Sequence, residues 1–122
     1  MTQEELDNVL LQEIVAALQA KRAHQIVQLD MRPVHSSICN YMVVCSADSS
    51  PHILALVDEV EERVGAATGE YPFRTSERND AEWVVIDYFS IMVHIFLPET
   101  RDHYKLEELW GDAPRKEYAE EE

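Results

Sequence analysis

The sequence predicts an α/β domain in which a mixed β-sheet carries helices on both faces. The order of patterns is helix, two strands, helix, a weak strand, a two-strand hairpin and a final helix, which is typical of a layered α/β domain. With 122 residues, 46% of them hydrophobic, the chain is long enough to bury a core. We therefore expect one domain over residues 1–115.

The first element is an amphipathic helix over residues 2–23. Thr2 and Glu5 have the spacing of a capping box at its start. Its apolar residues recur at steps of three and four, as one buried helix face requires: they are Leu6, Leu10, Ile14, Ala17 and Leu18.

Two strands follow this helix. Residues 25–30 suit a strand, and Pro33 interrupts the pattern, so residues 31–37 are expected to form a loop. Residues 41–46 predict a second strand that is apolar on both faces for most of its length, as in the centre of a covered sheet.

A second helix is predicted after a polar cluster. Ser50 suits the N-cap, and Pro51 suits the first helical position. Glycines within residues 65–69 end the helix. Its apolar face consists of Ile53, Val57, Val60 and Val64.

The strongest strand pattern is a hairpin. After a weak strand at residues 73–75 and a polar loop at residues 76–80, residues 83–88 and 91–96 form two strands joined by Phe89-Ser90.

The chain ends with a short helix and a polar tail. The helix begins at Pro98 and places Leu106, Leu109 and Trp110 on one side. Residues 116–122 are acidic and polar, so we expect a frayed tail.

The charge of the chain indicates which class of molecule it can bind. The chain has 24 acidic and 10 basic residues, which gives a formal net charge of −14. Proteins that bind nucleic-acid backbones cluster Lys and Arg, so direct nucleic-acid binding is not expected. The negative electrostatic field of such a chain favours a basic protein surface as its partner. An acidic surface is also explained by solubility alone.

The expected location of the protein and the redox state of its cysteines follow from patterns that the sequence lacks. No apolar run approaches the roughly 18 residues that cross a bilayer, and residues 1–20 lack the pattern of a cleaved signal. Cys39 and Cys45 belong to no Cys-x-x-Cys pair or larger cysteine framework. We expect a cytoplasmic protein with buried, reduced thiols.

No pattern identifies an active site. The five histidines lack zinc-site spacing, and three glycines do not make a phosphate-binding loop, so no catalytic residue, metal or cofactor is predicted. The one candidate for chemistry is His94 in an apolar strand. It either pairs with Asp87 across the hairpin or is a core histidine whose ring nitrogens are satisfied by backbone or by Asp87.

Two further side chains each allow a structural and a functional interpretation. Arg101 either pairs with Asp102 or Glu108 at the surface or reaches a buried carboxylate such as Asp87. Trp83 begins a strand next to acidic residues, a profile that fits either an interface anchor or an edge-of-core aromatic.

Three blocks resemble the ribosomal silencing factor family, also called the Iojap family. They are residues 38–46 (ICNYMVVCS), residues 81–88 (AEWVVIDY), and residues 93–96 (VHIF) leading into residues 101–110 (RDHYKLEELW). The resemblance extends over residues 4–114. The chain departs from the family pattern at Asn40, Ala47, Ser76-Glu77 and Phe89-Ser90.

The resemblance implies a fold, a partner and a mode of action. The expected fold is a nucleotidyltransferase-like mixed sheet with helices, without an evident catalytic acidic pair. Members bind the large ribosomal subunit through ribosomal protein number fourteen, block joining of the small subunit when nutrients run short, and tend to be homodimers when free. The interface residues expected here are Trp83, Asp87, Tyr88, Arg101 and Tyr104.

Two alternatives remain open. One is a nucleotidyltransferase-related or metal-dependent enzyme that uses Asp87 and His94. The other is a dimeric scaffold for some other basic protein.

Overall fold

The structure is a computed structural model that describes residues 2–34, 39–76 and 81–120. These residues form one six-stranded sheet in the order β3-β4-β5-β2-β1-β6. The helices are α1 (Gln3–Ala20), α2 (Ser50–Thr68), α3 (Pro98–Tyr104) and α4 (Leu106–Leu109). The strands are β1 (His24–Asp30), β2 (Tyr41–Ser46), β3 (Arg74–Thr75), β4 (Trp83–Asp87), β5 (Ile91–Phe96) and β6 (Arg115–Tyr118).

The sheet is mixed, as the sequence predicts. β2 and β5 pair in parallel at its centre, whereas the remaining neighbours are antiparallel. α1 and α2 pack side by side on one face and contact the sheet, while α3 lies against β5 and carries Tyr104 onto the opposite face. The α/β class with helices on both faces is therefore confirmed.

Alternation along the central strands divides the core into two layers. One layer joins the helices α1 and α2 to the side chains that point toward them, among them Val43, Val84, Val93 and Ile95. The other face carries a smaller cluster around Leu29 and Met42, which Trp110 covers in part. Every residue of β2 is buried, as expected for the central strand of a sheet covered on both faces.

Both long helices begin with a side-chain cap. The Thr2 hydroxyl accepts a hydrogen bond from the Glu5 backbone N–H at 3.1 Å, so the predicted capping-box position is confirmed. At α2 the cap is Ser49, not Ser50, because the Ser49 hydroxyl accepts from the His52 backbone N–H at 3.2 Å. Pro51 therefore occupies the second helical position.

The last helix is broken. Lys105 adopts a left-handed conformation (φ 50°) that ends α3 and begins α4. The sequence predicted one helix because the apolar spacing of its second half alone does not reveal a left-handed residue at Lys105.

The predicted frayed tail is wrong for residues 116–118. Residues 115–118 form β6, an antiparallel edge strand on β1, so a boundary at residue 115 cuts through an element. Tyr118 stabilises the strand by packing against the core and donating its hydroxyl to Gln28 Oε1 at 2.7 Å. Exposed charged residues on an edge strand conceal the pattern of a strand. Residues 121–122, 35–37 of the predicted first loop and 77–80 of the second lie outside the described residues.

His24 links Glu120, which follows β6, to Asp48, which follows β2. Its Nδ1 lies 2.7 Å from Glu120 Oε1, and its Nε2 lies 2.9 Å from Asp48 Oδ1. The hydrogen bond with Glu120 is the main cause that raises the pKa of His24 above 6.5, and the same bond lowers the pKa of Glu120.

We expect this contact to make β6 sensitive to pH. The raised pKa of His24 means that its contribution is complete below pH 6.5 and is lost as pH rises through the folded-state value. The lowered pKa of Glu120 means that its contribution is lost in acid, so the pair is strongest between about pH 4.5 and 6.5. Because the pair is exposed and screened by solvent, we expect a small effect.

Hydrogen exchange corrected for intrinsic rates measures this effect. Amides of residues 115–118 should be better protected at pH 6 than at pH 8.5, and His24→Ala should remove the difference. His103→Ala, on exposed α3, is the control and should retain it. Equal protection of β6 at both pH values in the parent protein would contradict the prediction.

Candidate functional site

Trp83 is the centre of an aromatic cluster on the sheet face opposite α1 and α2. It begins β4 directly opposite Phe96 of β5, and the two rings stack with centroids 4.8 Å apart. The Tyr104 ring of α3 lies 4.8 Å from the Trp83 ring. Trp83 is half-buried and Tyr104 is 51% exposed, so the cluster presents apolar surface to solvent. We call Trp83, His94, Phe96 and Tyr104 the aromatic cluster.

His94 fixes the indole of Trp83 through a hydrogen bond. The Trp83 Nε1–H donates to His94 Nδ1 at 3.1 Å. An indole nitrogen only donates, so Nδ1 is an acceptor and the proton of the neutral ring lies on Nε2. Nε2 is buried and has no partner among the described residues. Burial lowers the pKa of His94 to about 4, which keeps the ring neutral near pH 7.

The hypothesis that His94 pairs with Asp87 is wrong. Asp87 lies opposite Met92, while Val85 lies opposite His94. The Asp87 carboxylate instead accepts the Phe89 backbone N–H at 2.8 Å. His94 is a buried histidine, and its partner is Trp83 rather than a carboxylate or the backbone.

Arg101 lies beneath the surface, where it fixes the helices around the cluster. It is 6% exposed, its Nε donates to Glu107 at 3.0 Å, and its Nη1 donates to Ser46 Oγ at 2.9 Å. The predicted partners Asp102, Glu108 and Asp87 are replaced by Glu107, because the left-handed residue between α3 and α4 turns the chain back toward Arg101.

The structure brings together only part of the predicted interface set. Trp83 and Tyr104 touch, and Arg101 supports the helix that carries Tyr104. Asp87 shares the face of Trp83 but lies at the other end of β4, about 13 Å along the strand. Tyr88 is buried, with its ring packed in the layer under α1 and α2.

Two acidic side chains lie beside the aromatic cluster. A shallow cleft of about 220 Å³ beside Tyr104 is lined by Glu82, Glu99, Thr100 and His103. Glu82 and Glu99 are both exposed. An aromatic centre with a carboxylate rim is suited to bind a basic, partly apolar protein surface.

The described part of the chain holds neither a metal-binding cluster nor a membrane-spanning helix. Residues 2–34, 39–76 and 81–120 contain no group of three or more His, Cys, Asp or Glu side chains that could hold a metal ion. None of their helices is both long and apolar enough to cross a bilayer. The thiols of Cys39 and Cys45 are buried and form no disulfide, and burial raises the pKa of Cys45 to about 12.

Sequence reasoning missed Phe96 as the platform for Trp83, although a signal was present. Because Phe89-Ser90 is a two-residue turn, Tyr88 lies opposite Ile91. Counting back along one strand and forward along the other then places Trp83 opposite Phe96. The contact between Arg101 and Ser46 had no such signal, because it depends on how α3 packs against the end of β2.

Comparison with known proteins gives a consistent result. Residues 3–122 match the protein family described as ribosomal silencing factor during starvation. A ribosomal silencing factor from Halalkalibacterium halodurans is 36% identical over 108 residues, which are 88% of this chain and 91% of that protein. The mouse protein named mitochondrial assembly of ribosomal large subunit protein 1 is 31% identical over 80% of this chain and 43% of its own length.

A solved structure agrees with this fold. The crystal structure of a protein from Chromobacterium violaceum has a TM-score of 0.79 and 29% identity, and the match covers 91% of this chain and 88% of the other. Since the family match extends over nearly every residue and relatives above 30% identity span most of the chain, this chain belongs to the ribosomal silencing factor family.

Proposed function

We propose that this protein represses translation by binding the large ribosomal subunit through ribosomal protein number fourteen. Bound there, it prevents association with the small subunit, especially when nutrients are limiting. It acts as a physical obstacle in the cytoplasm, transforms no substrate, and forms a homodimer when free. The half-exposed Trp83, fixed between Phe96, His94 and Tyr104, is the observation that carries this proposal.

The aromatic cluster has the properties of an interface anchor. Residues that dominate binding energy are often Trp, Tyr and Arg in well-packed positions. Trp83 is already held by three ring contacts and one hydrogen bond, so little side-chain freedom is lost on docking. Trp83 and Tyr104 are therefore the proposed contacts, with Asp87 on the same face toward the far end of β4. Arg101 positions α3, and Tyr88, whose ring is buried in the layer under α1 and α2, supports the hairpin turn.

Charge supports the same class of partner. The net charge of −14 and the exposed Glu82 and Glu99 favour a basic protein over the phosphate backbone of ribosomal RNA. Carboxylates at the rim act mainly on the association rate and on the choice of partner.

The names of two relatives support the ribosome, and its large subunit, as the partner. The Halalkalibacterium halodurans protein is named a ribosomal silencing factor, and the mouse protein is named for assembly of the mitochondrial large ribosomal subunit. A domain of this size requires no chemistry to obstruct a surface at which two subunits meet. The described residues give no support to the enzyme alternative, since Asp87 and His94 point to different partners.

Replacement of Trp83 by glutamate tests the anchor. Trp83→Glu introduces a charge into the aromatic contact, so co-sedimentation with purified large subunits should fall at least about tenfold, which corresponds to about 1.4 kcal/mol. Gln12→Glu, on an exposed position of α1, adds the same charge elsewhere and should bind normally. Circular dichroism and thermal unfolding check that each variant is folded.

Subunit association provides the second readout. The parent protein and Gln12→Glu should reduce formation of complete ribosomes from purified subunits, whereas Trp83→Glu should not. The proposal fails if large subunits pellet without the parent protein at moderate salt, or if folded Trp83→Glu binds as the parent does.

His94 makes the stability of the protein sensitive to acid. Its folded-state pKa is about 4, below the ordinary value of 6.5, so its contribution is complete above pH 6.5 and is lost as pH falls toward 4. Between pH 7 and 4.5 the loss amounts to about 2–3 kcal/mol. A protonated Nδ1 no longer accepts from Trp83, since both groups are then donors.

Urea unfolding at pH 7 and pH 4.5 measures this contribution. His94→Gln retains an acceptor for the indole N–H but does not titrate, so its free energy of unfolding should fall less across this interval than that of the parent. Tryptophan fluorescence reports whether Trp83 keeps its environment. An identical loss in the parent and in His94→Gln would refute the role assigned to His94.

A further inference from the structure

A second candidate surface lies at the hairpin between β4 and β5, at the end of β4 remote from Trp83. A cleft of about 470 Å³ opens there between α1, the end of α2 and the hairpin. Its lining includes Gln3, Leu6, Asn40, Glu70, Phe89 and Ser90. From Trp83 to Phe89 the distance is about 20 Å along the strand, so this cleft is separate from the aromatic cluster.

Phe89 is presented to solvent by an unfavourable backbone conformation. Its φ is 75°, in the left-handed region that favours glycine, and its side chain is 69% exposed. Its main ring contact is with Phe73, whose exposed ring lies edge-on at 4.9 Å. Fold stability alone does not account for an exposed phenylalanine at this position, because glycine would relieve the strain.

A buried carboxylate lies behind the cleft. Asp7 of α1 is 2% exposed and accepts hydrogen bonds from Gln3 Nε2 at 2.8 Å, Asn40 Nδ2 at 3.0 Å and Ser90 Oγ at 2.7 Å. Among the residues that the structure describes, no lysine, arginine or histidine lies within 4.0 Å of it. Three neutral donors satisfy the carboxylate oxygens without cancelling their charge, so the cleft has a negative potential.

We propose that this cleft binds an arginine side chain from a basic protein segment. The guanidinium plane lies against the Phe89 ring and pairs with the exposed Glu70, while the aliphatic stem contacts Leu6. Arginine fits better than lysine because a planar guanidinium both stacks on an aromatic ring and pairs with a carboxylate through two parallel hydrogen bonds. An anionic ligand is disfavoured, since Glu70 and Asp7 both repel it.

This proposal does not depend on ribosome binding, and its test is separate. The probe is N-acetyl-arginine methylamide, titrated into ¹⁵N-labelled protein at low salt and followed by NMR. Saturable shifts are expected at Glu70, Phe89 and Ser90. The corresponding lysine compound should bind more weakly, and the corresponding glutamate compound should cause no saturable shift.

Two variants decide whether the cleft is responsible. Phe89→Gly removes the ring at a φ that glycine adopts readily, so the protein should stay folded while the arginine compound binds at least about fivefold more weakly. Glu70→Gln should weaken binding in the same direction, because it removes the exposed carboxylate. Tyr104→Ala, in the aromatic cluster, is the matched control and should bind as the parent does.

Several outcomes would overturn the proposal. They are unchanged binding in folded Phe89→Gly, shifts spread over the acidic surface without saturation, and equal affinity for the arginine and glutamate compounds. Trp83→Glu should leave this binding intact, so failure of ribosome docking and failure of the cleft proposal are distinguishable.

Discussion

The antiparallel register between β4 and β5 is the constraint on which both candidate surfaces depend. Pairing of Trp83 with Phe96 and of Val84 with Ile95 assigns alternate side chains to opposite faces of the sheet. A slip of one residue would turn Trp83 toward α1 and α2 and would expose Val84 to the other face. The turn that sets this register is closed by the Tyr88 backbone N–H, which donates to the Ile91 carbonyl at 2.9 Å. The same turn that positions the aromatic cluster at one end thus exposes Phe89 at the other.

The buried polar contacts of Arg101 fix the position of α3 more than they stabilise the fold. Arg101 is almost completely buried, and Ser46 and Glu107 satisfy two of its nitrogens. Replacing a buried ion pair by apolar side chains is often neutral for stability, so the presence of the Arg101–Glu107 pair fits a role in fixing α3. Because α3 carries Tyr104, a fixed helix gives the aromatic cluster a defined shape before any partner arrives.

Much of the fold is readable from the sequence because its hydrophobic periods are clear. The two long helices, β2 and both hairpin strands appear where periodicity predicts them, to within a few residues at the ends. β6 was not predicted, since four mostly exposed residues carry almost no apolar pattern and depend on the neighbouring edge of β1. Prediction of edge strands from local sequence is weak for this reason.

The candidate site was only half predictable. Trp83 and Tyr104 stand out by residue type and family motif, and the register of the hairpin, applied consistently, pairs Trp83 with Phe96 and separates Asp87 from His94. Burial of Arg101 was not accessible, because it depends on a left-handed residue that shortens α3 and on the distance between α3 and β2. Long-range packing of this kind leaves no trace in local spacing.

A departure from the most stable arrangement lies at the turn of this hairpin. Phe89 occupies a backbone conformation suited to glycine, and its ring is exposed beside that of Phe73. A left-handed residue other than glycine costs free energy, of the order of 1–3 kcal/mol. Glycine would relieve this strain, so an exposed phenylalanine at the turn fits a binding role at this end of β4 and β5.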